Sequence, residues 1–112
     1  MKGNSFSGVL YKAFLNASDI LALTSYELSQ VINCDISKID KITPDSNEGI
    51  RALYFIRIYK KLFDLLNGDK KEMKLWIDGD NFGTGGVPAQ QVQEKDISGL
   101  VHVMEYLEAF PS

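Results

Sequence analysis

Residues 48–67 read EGIRALYFIRIYKKLFDLLN, and this stretch decides the class of fold. Ile50, Leu53, Tyr54, Phe55, Ile56, Ile58, Tyr59, Leu62, Phe63, Leu65 and Leu66 carry apolar side chains around most of a helix. Arg57, Lys60, Lys61 and Asp64 recur at helical spacing and form one narrow polar stripe. A helix this apolar is covered on most of its sides. In a chain of 112 residues, a partner subunit could supply part of that cover. Asn67-Gly68 ends the helix, because both residues tolerate the left-handed backbone of a cap.

Upstream, Thr43 to Asn47 form a linker with Pro44. A first helix is expected over about 6–22, where Val9, Leu10, Ala13, Phe14 and Ala17 share a stripe that Ile20 and Leu21 continue. Asn16 to Asp19 are weak helix formers, so a kink or break is expected there. Thr24 and Glu27 have the spacing of a capping box, and Leu28, Val31 and Ile32 face inward behind it. Asn33 suits a tight left-handed turn, Cys34 plugs the core, and Asp35 can cap a helix on which Ile36, Ile39 and Ile42 share a face. Downstream, a short helix covers about 69–77, a glycine-rich loop runs from Asp78 to about Pro88, and a helical turn lies near 89–93. The last helix covers about 97–109. No segment alternates like a strand, so the chain reads as an all-α small helical bundle.

The composition, 45% apolar and 24% charged, is that of a globular domain. One cysteine excludes an internal disulfide and fits a reducing cytoplasm. No signal peptide is visible, and no apolar run reaches the ~18 residues that span a bilayer, so a cytoplasmic protein without membrane contact is expected. The net charge is −3. Residues 1–43 balance four lysines with four acids, while 44–112 hold eight basic and eleven acidic residues. A nucleic-acid reader usually carries a basic stripe, and here it is faint.

Sites for chemistry are scarce. Gly83-Thr84-Gly85-Gly86 lacks the lysine and hydroxyl of a phosphate-binding loop and follows no strand. Asp78-Gly79-Asp80-Asn81 opens like a calcium loop, but Phe82 and Ala89 occupy the fifth and twelfth positions. His102 and Cys34 are single, too few for a metal set, and no third group suggests a nucleophilic pair. No carboxylates form a catalytic frame. The expectation is a non-enzyme with no cofactor and no metal.

Residues 23–42, LTSYELSQVINCDISKIDKI, look like the helix-turn-helix of Xre-type regulators, with Ser29 at the helix crossing and Asn33 in the place of the usual turn glycine. The exposed side of the second helix would offer Ser37, Lys38 and Lys41 to operator DNA, beside Ile36 and Asp40. Residues 57–112 read as a long helix, then Lys74-Leu75-Trp76, Asn81, Gly85-Gly86 with Pro88, then Gly99-Leu100-Val101 and a closing helix. This order resembles the toxin-binding domain of the Xre/MbcA/ParS antitoxins, with Gln90, Gln91 and Val92 where leucines are often seen. Together the two segments, 23–42 and 57–112, cover 76 of the 112 residues. They divide it into a helix-turn-helix region at 1–45 and a toxin-binding and dimerisation domain at 46–112.

The resemblance implies a type II antitoxin. Its cognate toxin would be of the RES type, which degrades NAD, and the chain would homodimerise through its C-terminal domain, with autoregulation of its operon as a second role. It also implies steric inhibition by the last helix and tail, here Tyr106, Glu108, Phe110, Pro111 and Ser112. An aromatic, a proline and a terminal carboxylate suit a pocket that normally holds an anionic dinucleotide, and proline lowers the entropy lost on docking. The alternatives are a free-standing helix-turn-helix regulator without a toxin partner and a structural dimerisation module. A neighbouring toxin gene would separate the first of these from the antitoxin.

Overall fold

A computed structural model describes residues 2–111, with side-chain surroundings from Gly8 to Pro111. The first helix, α1 (Lys2–Leu21), starts earlier than expected and runs unbroken through Asn16–Asp19. The reason is packing: Ala17 and Leu21 are fully buried, and the Ser18 hydroxyl donates to the Phe14 carbonyl at 2.7 Å inside the same helix. The helix stops at Ala22, which takes a left-handed φ of 55°. Next, α2 (Ser25–Ile32) opens on the expected capping box. Thr24 Oγ1 accepts from Glu27 N at 3.1 Å, and Glu27 Oε1 accepts from Thr24 N at 2.8 Å. Asn33 closes it in the left-handed region, φ 58° and ψ 44°.

The following segment, Ile36–Lys41, is a 3-10 helix, not the α-helix of a helix-turn-helix. Its apolar residues Ile36, Ile39 and Ile42 recur every three positions, the period at which a 3-10 helix stacks side chains on one face. Asp35 caps it by accepting from Ser37 N at 3.0 Å, and Ser29 Oγ accepts from Ile36 N at 3.0 Å to set the turn.

The long helix, α3 (Asn47–Leu65), is capped by Ser46, whose hydroxyl accepts from Gly49 N at 3.0 Å. A Cβ at Gly49 would collide with the Thr43 carbonyl, so glycine lets the linker fold against the first turn. Beyond the left-handed pair Asn67-Gly68 come α4 (Lys70–Asp78), α5 (Pro88–Gln91) and α6 (Ser98–Glu108). No strand occurs among the described residues, only a single bridge between Asn81 and Gly86. The architecture is all-α, with α3 packed between α1, α2 and α6. One apolar core runs from Leu10 to Leu107 and includes Phe14 tilted on Phe55, ring centres 5.4 Å apart.

Inside that core sits one charge. Arg51, 4% exposed, has no carboxylate partner at hydrogen-bond distance. Its Nε donates to Val31 O at 2.6 Å, Nη1 to Lys95 O at 3.2 Å, and Nη2 to Glu94 O at 2.7 Å and Val92 O at 3.4 Å. Val31 lies in the last turn of α2, where carbonyls lack helical partners and carry the negative end of the helix dipole. Arg51 thereby ties α2 to the loop that leads into α6. Burial lowers its pKa, and the nearby Asp96 opposes that shift.

Asp96 in turn lies just before α6 and accepts from Ser98 N, at the helix's first residue, at 2.8 Å. Its carboxyl is held below the ordinary value of 3.8, first by the hydrogen bonds from Ser98 and last by Arg51. Because the folded pKa is depressed, the stabilisation is complete above 3.8 and disappears as pH falls through the lower folded value. Thermal melts taken downward from about pH 4 should therefore show a loss in the wild type that Asp96→Asn lacks. Parallel curves for the two proteins would refute this linkage.

Candidate functional site

The face that positions the expected binding residues is built on α6. Leu100, Val103, Met104 and Leu107 are buried in the core, Tyr106 is half-buried against it, and Phe110, just past the end of α6, is exposed. These two stand one helical turn apart, and their rings meet edge to face with centres 5.2 Å apart. Phe110 is 41% exposed, and Pro111 continues the exposed surface. The structure thus brings Tyr106, Phe110 and Pro111 together, as the sequence suggested. Ser112 lies outside the described residues.

Glu108 is already engaged within the chain. Its carboxylate takes two hydrogen bonds from Arg57, Nε at 3.0 Å and Nη2 at 2.7 Å. The pair is exposed, so it contributes little stability. Its two-point geometry nonetheless fixes the end of α6 against α3. Glu108 therefore acts as an anchor for the aromatic pair, and it draws Arg57 out of the basic cluster with Lys60 and Lys61.

Behind the aromatic pair lies the loop 79–87. Asn81 N donates to Gly86 O at 2.8 Å, and Gly85 N donates to Asn81 O at 2.9 Å. Asn81 Oδ1 accepts from Thr84 N at 3.1 Å. The Thr84 carbonyl accepts from Gln91 Nε2 at 2.7 Å and pairs with His102 Nε2 at 2.8 Å. A Cβ at Gly83 would strike the Tyr106 ring, so glycine allows the loop to lie against α6. Thr84 N, Gly85 N and Gly86 N, the groups that would have to cradle a phosphate, are spent inside the turn. Asp78, part of the calcium-like stretch, pairs with Lys74 at 2.9 Å.

The residues expected to face DNA are placed differently. Ser37, Lys38 and Lys41 are exposed, but they lie on six residues of 3-10 helix, about 12 Å of rise. Asp40 is exposed between the two lysines, and Asp35 is held in its charged form by the hydrogen bonds from Ser37. Two acids offset two lysines, so no basic stripe faces outward here.

Two structural features escaped the sequence reading. Arg51 belongs to neither the apolar set nor the polar stripe of its helix as the sequence presents them. Phe82 looked like part of a turn, yet it is fully exposed. An aromatic between Asn81 and Gly83, with no periodic partner on either side, was the available signal for the second. No protein-family model matches the chain, and no curated protein matches it significantly.

Proposed function

We propose that this chain is an antitoxin-type binding protein that neutralises a partner toxin by steric block through the outer face of α6. The observation that carries the reading is the edge-to-face Tyr106–Phe110 pair beside Arg57–Glu108, in which Tyr106 is half-buried against the core and Phe110 is exposed and continued by Pro111. A rigid aromatic pair suits a protein pocket, because aromatic anchors bury large area at small entropic cost. The resemblance of the 23–42 and 57–112 segments to the Xre/MbcA/ParS antitoxins supplies the partner class, a RES-type toxin that consumes NAD. Inhibition by occlusion requires no chemistry from this chain. No helix among the described residues is long and apolar enough to cross a membrane, which is consistent with a partner met in solution.

The test is co-expression with a RES-type toxin, read as cell growth and NAD content. Removing Phe110 to Ser112 should weaken neutralisation while leaving the melting curve intact. Full protection by the shortened chain would sink the role of the tail. The regulator reading is less well supported, because the second helix of the motif is a short 3-10 turn with balanced charge.

A further inference from the structure

The most exposed apolar side chain among the described residues is Phe82, and the partner-binding reading leaves it unused. It projects from a loop that seven hydrogen bonds hold closed or tie to its neighbours, from Asn81 N, Thr84 N, Thr84 Oγ1, Gly85 N, Gly86 N, Gln91 Nε2 and His102 Nε2. A ring presented this rigidly loses little entropy when it docks. On another part of the surface, α1 and α3 leave an apolar groove of about 180 Å³ lined by Val9, Leu10, Ala13, Pro44, Leu53, Ile56 and Lys60. Val9 is 63% and Leu53 38% exposed at its edge.

The charges beside the two features are complementary. Asp80, two residues before Phe82, is exposed and forms no ion pair among the described residues, whereas Asp78 is taken by Lys74. Lys60 at the groove is likewise exposed and without an ion pair. We propose that Phe82 of one copy seats in the α1–α3 groove of a second copy of this chain, with Asp80 meeting Lys60 at the rim. The contact would cover three of the eight large apolar residues left exposed among the described ones. It joins the 79–87 loop to a groove whose α1 wall, Val9, Leu10 and Ala13, lies in the 1–45 region, and so reaches beyond the pairing of C-terminal domains that the family resemblance implies. Loop and groove are different patches, so two reciprocal contacts close a dimer and single contacts extend a chain.

Sedimentation equilibrium of the full chain, from micromolar to several hundred micromolar, tests this without any toxin. The expected result is a mass that rises above the monomer with concentration. Phe82→Ala and Leu53→Asp should each weaken association about a hundredfold, with melting curves confirming that both variants fold. Asp80→Lys and Lys60→Glu should each weaken it about threefold, and the double swap should recover the loss. A wild type that stays monomeric throughout overturns the proposal, as does a Phe82→Ala protein that assembles like the wild type. A double swap no better than either single change overturns the Asp80–Lys60 register.

Discussion

Arg51→Met is expected to cost roughly 2–4 kcal/mol of folding stability, set by the carbonyls it leaves without a donor. The methionine side chain fills much of the same space, so the loss isolates the donors. Four carbonyls, of Val31, Val92, Glu94 and Lys95, lose their guanidinium. Each buried carbonyl left without a partner costs on the order of 1–3 kcal/mol, and partial access to water keeps the sum below the simple total. Natural domains hold only about 5–15 kcal/mol in all, so the variant should sit close to unfolding at body temperature. Urea titration measures the change directly, and a loss below about 1 kcal/mol would refute the structural role. Arg51→Lys should recover less than half of it. An ammonium is compact and cannot span carbonyls on both α2 and the 92–95 loop, as the planar fork does.

Phe55→Ala carries the second large effect, about 3–5 kcal/mol. Phe55 is fully buried at the middle of α3, against Phe14 of α1. Removing it opens a cavity between two helices, α3 capped by Ser46 and α1 ended by the left-handed Ala22, so collapse can fill little of the gap. A double-mutant cycle with Phe14→Ala should report a coupling of about 0.5–1.5 kcal/mol, the usual worth of an aromatic pair beyond its buried area. A single-variant loss below about 2 kcal/mol, or strict additivity, would show that the pair does not organise the core.

Much of this architecture was legible from local chemistry. The apolar periodicity of 48–67 announced α3, and Thr24 with Glu27 announced the start of α2. Asn33, Asp35, Asn67-Gly68 and Pro88 marked turns and helix ends where the structure has them. Each of these signals involves atoms within a few residues of one another. The reading went astray where distant atoms decide. Asn16–Asp19 stay helical because the core buries Ala17 and Leu21. The segment 36–41 winds to a 3-10 helix where Ile39 and Ile42 are buried and Ile36 is half-buried against the core that α1, α2 and α3 build.

The candidate site divides in the same way. Tyr106 and Phe110 were legible as neighbours because four residues on a helix bring side chains together. That Glu108 would be held by Arg57, 51 residues away, was not. Nor was the burial of Arg51 visible, since its partners lie 20 to 44 residues off in sequence and are backbone carbonyls, which every residue possesses. By itself the sequence determined an all-α chain, its helices and most of their ends, because periodicity and capping are short-range physics. The tertiary structure alone decided which charges are buried or paired and which aromatic is left in water, because those outcomes depend on the packing of surfaces far apart along the chain.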